Sequence, residues 1–254
     1  MTEIKTKEEK IESKEELIEE KAIEEEFPVK RIRKSREERE AEMLTEHISS
    51  WKPKTKLGKL VKDKKIKSID EIFEKKYVIL EPEIVDSLLR LENDSLFAGQ
   101  SKGKFGGGKR RAWRQSQRKR KEGNVVTFSV VVIVGDKNGH VGFGFGKSKE
   151  TLPAREKALR KAKLNIFKVV RGSGSFEGGS NEPHSIPFKV KGKCGSVTIT
   201  LIPAPQGTGL AIGKEGRKIL RLAGIKDIYS NSKGQTRTTI NYGKAIIDAL
   251  KKLK

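Results

Sequence analysis

The apolar positions between residues 125 and 170 change period twice, and each change marks an element. Val125-Val126-Thr127-Phe128-Ser129-Val130-Val131-Val132-Ile133-Val134 is a nearly continuous β-branched run, the pattern of a strand buried on both faces. Gly135-Asp136-Lys137-Asn138-Gly139 closes it with turn residues and predicts a tight hairpin. The return segment, His140-Val141-Gly142-Phe143-Gly144-Phe145-Gly146, alternates strictly, so Val141, Phe143 and Phe145 share one face and Gly142, Gly144 and Gly146 the other. A strand face without side chains is used where another backbone must come close. That approach is expected to be an RNA backbone or a loop. From Leu152-Pro153 the period becomes helical: Ala154, Ala158 and Ala162 recur four apart, with Leu159, Ile166 and Val169 widening the stripe. Arg155, Lys157, Arg160, Lys161, Lys163 and Lys168 fill the other side.

Elsewhere the pattern divides the chain into further segments. Residues 1–50 form a charged extension with scattered Ile and Leu, able to make a solvated helix but too poor in apolar surface to fold alone. In 51–106, Ser68 with Glu71 three residues on predicts a capped short helix, a second helix follows Pro82, and a Gly/Lys-rich linker closes the segment. Residues 107–170 hold three strands and the basic helix. Residues 171–185 are a Gly/Ser linker between domains. In 186–254, two alternating strands flank a turn at Gly192 to Gly195. A helix over about Lys214 to Ala223 ends at Gly224, a third strand spans Ile225 to Tyr229, and Ser230 to Arg237 reads as a polar loop. The last helix runs from about Thr238 to Leu253. The predicted class is α+β: a β-β-β-α unit of the order found in double-stranded-RNA-binding domains, then a small two-layer α+β sandwich.

Charge sharpens this. Lys and Arg exceed Asp and Glu by 22, which makes a polyanion the natural partner. Residues 1–26 hold eleven Glu against five Lys, so an acidic tail precedes a body more basic than the total. Cations crowd beside glycines at Lys109, Arg110, Arg111, Arg114, Arg118, Lys119, Arg120 and Lys121, a phosphate-binding composition. Together with Lys147, Lys149, Arg155, Arg160 and Lys161, and with Gly142, Gly144 and Gly146 allowing close approach, these are the candidate RNA-binding residues. Trp113, within the cationic run, either stacks on a base or anchors into the core, and its place in a strand favours the core. A second basic run, Lys30 to Arg39, could grip phosphate or act as an import-type patch.

Other chemistries find little support. Cys194 is the single cysteine, so no disulfide framework forms and a reducing, cytoplasmic compartment is expected. His47, His140 and His184 lack partners at metal-ligand spacing. A phosphate loop would need Gly at 141 or 208, where Val141 and Thr208 stand. The expectation is of a non-enzyme with no cofactor, metal, membrane span or small-molecule substrate. The alternatives from other classes are a free-standing double-stranded-RNA-binding regulator and a nucleotide-dependent RNA enzyme.

Val130-Val-Val-Ile-Val-Gly-Asp-x-Asn-Gly-x-Val-Gly-x-Gly-x-Gly-Lys-x-Lys-Glu150 resembles the signature of a universal small-subunit ribosomal protein family, called S five in bacteria and S two in eukaryotes. Trp51 to Leu91 is similar to an extension of its archaeal and eukaryotic members. Pro203-Ala204 with Gly207-Thr208-Gly209, then Leu222 to Ile228 and Gly234 to Thr239, resemble its second domain. The chain departs from the pattern at Asn124, Val125 and Thr127, where the family carries arginines, and Arg118 to Lys121 is expected to supply that charge instead. The resemblance implies a structural constituent of the small ribosomal subunit. Its expected partners are small-subunit rRNA, neighbouring small-subunit ribosomal proteins, and mRNA where it enters the subunit; its expected role is in assembly and decoding accuracy.

Overall fold

The computed structural model describes residues 45, 48–103, 105, 107–108, 110–173 and 182–253. The chain divides into two compact units, Met1–Ser49 and Ser50–Lys254, and every element named below belongs to the second. The acidic tail, the basic run at Lys30 to Arg39 and the glycine-serine stretch 174–181 lie outside the described residues.

The β-branched run forms a thirteen-residue strand, which organises the first sheet. In chain order the strands are β1 (Glu92–Ser95), β2 (Trp113–Arg120), β3 (Gly123–Gly135), β4 (His140–Ser148) and β5 (Ile166–Lys168). β2 pairs with the first half of β3, from Arg120↔Gly123 to Trp113↔Val130, and β1 continues the same edge from Ser95↔Val132 to Glu92↔Gly135. β4 covers the opposite edge and β5 follows it; every pairing is antiparallel. β1 carries no apolar signal, because Glu92-Asn93-Asp94-Ser95 contributes only its main chain to the ladder.

A helix, Thr151–Leu164, lies across one face of this sheet against Val130, Val132 and Val134. The other face, with Val131, Ile133 and Val141, joins residues from Ile186 to Leu253 in one continuous core. The two halves of the chain thus share apolar interior. β3 is buried on both faces only from Ser129 to Gly135, while residues 125–128 of the predicted buried run are half-buried because β2 pairs there and one face stays open.

The extension before this sheet folds into α1 (Lys56–Lys62), α2 (Ile69–Glu74) and α3 (Pro82–Leu88), which makes Thr151–Leu164 α4. Ser68 caps α2 as expected: its hydroxyl accepts from the Glu71 N–H at 3.4 Å and donates to the Glu71 carboxylate at 2.9 Å. Leu57, Val61, Ile69, Ile72, Ile84 and Val85 form their own cluster, which meets the sheet at Ile166.

The second sheet has the order β6 (Val190–Cys194), β7 (Val197–Pro203), β9 (Ile228–Lys233), β8 (Leu210–Ala211), with only β8 parallel to its neighbour. It carries α5 (Lys214–Leu222) and α6 (Thr239–Lys251). Two expectations shift. The reversal falls at Gly195-Ser196, because Gly192 lies within β6, where a side chain would strike the Ala245 carbonyl of α6. The third strand is β9 rather than Ile225 to Tyr229. Ser230, Asn231 and Ser232 belong to it because their main chains pair with β7, while the Lys226 and Asp227 N–H groups turn back to the His184 carbonyl. Among the described residues no helix is long and apolar enough to cross a membrane.

Candidate nucleic-acid interface

Register assigns each predicted cation to a face. Directly paired residues point the same way, so Trp113↔Val130 places Trp113 on the α4 side, where it packs against the cluster of β3 valines and α4 alanines. It is a core anchor, with Phe128 edge-on at 5.2 Å between centroids. Arg114, one residue on, points to the opposite side, in a cross-strand row with Ser129 and Lys147. Arg118 and Arg120 follow it along β2 on that same open face. Between them the Ser116 and Thr127 hydroxyls lie 2.9 Å apart, knitting the hairpin without adding charge. Arg114, Arg118, Arg120 and Lys147 are all exposed, and among the described residues none is held in an ion pair.

The remaining cations take other positions. Lys119 faces the α4 side of β2, and Lys121 sits in the turn between β2 and β3. Lys149 precedes α4; Arg155 and Lys161 are exposed at the two margins of the buried Ala154, Ala158 and Ala162 stripe, and Arg160 lies opposite it. The predicted patch is therefore two surfaces on opposite sides of the sheet. Arg110 reaches toward the Arg237 carbonyl at 3.4 Å and the Thr239 hydroxyl at 3.5 Å, near the start of α6. Arg111 stacks over the Trp113 ring at 4.8 Å. Lys109 lies outside the described residues.

The glycines require a correction. Gly142, Gly144 and Gly146 are buried beneath α4, and a Cβ at each would overlap the main-chain oxygen of Ala162, Ala158 and Ala154 respectively. The backbone that comes close is the chain's own helix, which leaves RNA no access to that strand face. Glycine opposite alanine lets helix and sheet approach at main-chain distance, and it fixes the helix that carries Arg155, Arg160 and Lys161. The nucleotide-loop reading also ends here, since Val141 to Ser148 is strand rather than a phosphate-wrapping loop.

Two cations of the predicted helix and strand face are neutralised by the extension. Lys163 Nζ lies 2.6 Å from Asp86 of α3, and Lys168 Nζ 2.8 Å from Asp70 of α2. Asp70 also lies 3.3 Å from His140 Nε2, while Asp136 lies 2.6 Å from His140 Nδ1 and Phe73 stacks on the ring. Burial disfavours charge on His140, but the hydrogen bond and charge of Asp136, and then those of Asp70, outweigh it and raise its pKa above the usual 6.5. Burial likewise opposes charge on Asp136, and the His140 ring with the His140 and Asn138 N–H groups outweighs it, so its pKa is lowered. This clasp joins the extension to the central hairpin. The aspartate four residues before His140 was its visible half; Asp70 carried no signal, being seventy positions away.

A second buried polar group sits between β9 and the preceding loops. His184 Nδ1 lies 3.1 Å from Asp227 Oδ2, and Asp227 Oδ1 accepts the Gly209 N–H at 2.7 Å. The Ser185 hydroxyl donates to the Asp227 main-chain oxygen at 2.7 Å and accepts from the Ala204 N–H at 3.3 Å. All three residues are buried, so the group holds the Pro203 to Gly209 loop in place.

Two family descriptions match the chain: "Ribosomal protein S5, N-terminal domain" over residues 112–170 and "Ribosomal protein S5, C-terminal domain" over residues 192–254. The proteins named small ribosomal subunit protein uS5 from Nanoarchaeum equitans and Methanobrevibacter smithii are 53% and 49% identical to it over 208 residues, 82% of this chain and 89% and 91% of theirs. That of Hyperthermus butylicus is 49% identical over 201 residues, 79% of this chain and 88% of its own. These likenesses span both sheets and most of the length of each relative, and the chain belongs to the ribosomal protein S5 family.

Proposed function

We propose that this protein is a non-catalytic structural constituent of the small ribosomal subunit, cytoplasmic and ribosome-bound, that holds small-subunit rRNA by shape and phosphate contacts. The observation that carries this reading is the open face of the β2–β3 hairpin. There Arg114, Arg118, Arg120 and Lys147 share one side of a rigid ladder, exposed and without carboxylate partners among the described residues. A rigid ladder spaces these cations in advance, so only their side chains, not the backbone, must be ordered when they meet the phosphates of an A-form strand. In this reading β2, β3, β4 and α4 act as a domain of the double-stranded-RNA-binding type. Arg155, Arg160 and Lys161 on α4 then form a second phosphate-binding side, across the sheet from the first. Family membership supports placing neighbouring small-subunit proteins among its partners, and the resemblance to S five proteins supports a position where mRNA enters the subunit, with a role in assembly and decoding accuracy.

The test is binding of the full chain to a small-subunit rRNA transcript over a range of salt. Arg118→Glu with Lys147→Glu is expected to weaken binding and to lower the salt slope by roughly one to two, about 0.7 to 0.9 for each phosphate that is no longer neutralised. Unchanged affinity and slope would remove the open face as an RNA-binding surface. Co-sedimentation with small subunits that persists at raised salt supports the ribosomal role; a protein that runs free favours a looser RNA-binding regulator.

A further inference from the structure

The segment from Ser101 to Arg111, of which residues 104, 106 and 109 lie outside the described residues, runs between β1 and β2. Its base is closed by the main chain: the Gly99 N–H donates to the Arg111 carbonyl at 2.9 Å, the Arg111 N–H to the Gln100 carbonyl at 3.0 Å, and Ser101 bridges to Arg110. Toward its outer end Phe105 is 99% exposed, where Val78, another exposed apolar side chain, reaches 73%. A benzyl group wholly in water contributes nothing to the fold by burial, so its burial is reserved for a partner. Gly103, Gly107 and Gly108 around it have φ of +92°, +62° and +68°, and space for a Cβ is empty at all three. No atom lies within 4 Å of a Cβ placed at any of these three glycines, so among the described residues the body does not crowd them.

Two kinds of partner take a lone aromatic ring: an apolar pocket on a protein, or an unstacked nucleobase. Charge decides between them. Residues 101–111 carry Lys102, Lys104, Lys109, Arg110 and Arg111 and no Asp or Glu. A protein pocket would need a strongly acidic rim to receive that loop, whereas a nucleobase brings phosphates on both sides. We propose that Phe105 is a nucleobase-stacking residue, which takes an unpaired base of RNA onto its ring while the flanking cations neutralise the adjoining phosphates. This rests on the RNA-binding role proposed above and adds to it single-strand recognition by the segment between β1 and β2.

The experiment is ultraviolet cross-linking of the full chain to a small-subunit rRNA transcript, with adducts mapped by mass spectrometry and affinities measured in parallel. A nucleotide adduct is expected on Phe105. Phe105→Ala should abolish it and weaken binding on the order of tenfold, the effect of one base left unstacked, with the salt slope unchanged because every phosphate keeps its cation. Phe105→Trp should restore affinity. The side chain is exposed, so these substitutions leave the fold intact. Wild-type affinity in Phe105→Ala, or adducts elsewhere but none on Phe105, overturns the stacking role while leaving RNA binding standing. A wild-type chain that fails to bind the transcript overturns both.

Discussion

Replacing Gly144 by alanine separates a packing role for the glycine face from an RNA-binding one. Its φ lies outside the left-handed region, so alanine meets no backbone strain there. The new methyl would, however, run into the Ala158 carbonyl oxygen and the Ala162 nitrogen, both main-chain atoms of α4. No rotamer change can relieve that overlap, and either the helix or β4 must move. Overpacking of this kind costs about 1–3 kcal/mol, toward the upper end where main chain is the obstacle. The alanine also restricts the unfolded chain, which returns about 0.4–1 kcal/mol. The net destabilisation is about 2 kcal/mol. With a urea slope of about 2–3 kcal/mol per molar for a unit of this size, the midpoint should fall by somewhat less than about 1 M. Urea unfolding followed by circular dichroism and tryptophan fluorescence reads this directly. Under native conditions the variant should bind an rRNA transcript with wild-type affinity and salt slope. An unchanged midpoint together with weakened RNA binding would refute the packing argument and return the glycine face to the RNA.

The histidine clasp predicts a pH dependence of definite sign. His140 has a folded pKa raised above 6.5, so its contribution to stability is complete below that value and is lost as pH climbs through the folded one. Asp136 and Asp70 are held below 3.8, and their contribution is complete above that value and is lost as pH falls through the folded ones. Unfolding midpoints should therefore decline on the alkaline side for the wild type but not for His140→Gln; superimposable alkaline limbs would rule the clasp out. Asp227→Ala should cost about 1–3 kcal/mol, because it leaves the half-buried Gly209 N–H without its acceptor. Hydrogen exchange at Gly209 should quicken in that variant, and wild-type protection there would contradict the anchoring role.

Local patterns in this chain were readable wherever one element carried its own period. The β3–β4 hairpin, the Ser68 cap and the alanine stripe of α4 follow from residues within a few positions of each other. β1 was not readable: four polar residues pair through main chain alone, and no side-chain period records that. The cations were counted correctly as a composition, but Arg114 and Lys147 share a face with Arg118 and Arg120 only because of strand register, while Arg155, Arg160 and Lys161 belong to α4 on the other side of the sheet. Lys163 and Lys168, which look equally available along the sequence, are neutralised by aspartates of the extension.

By itself the sequence determined the α+β class with most of its elements, the polyanion-seeking charge and the resemblance to S five proteins, because propensity, period and composition are local or additive. What approaches the glycine face was decided only by the tertiary structure. A bare strand face accepts any close backbone, and α4, joined to β4 through Lys149 and Glu150, is the one that occupies it.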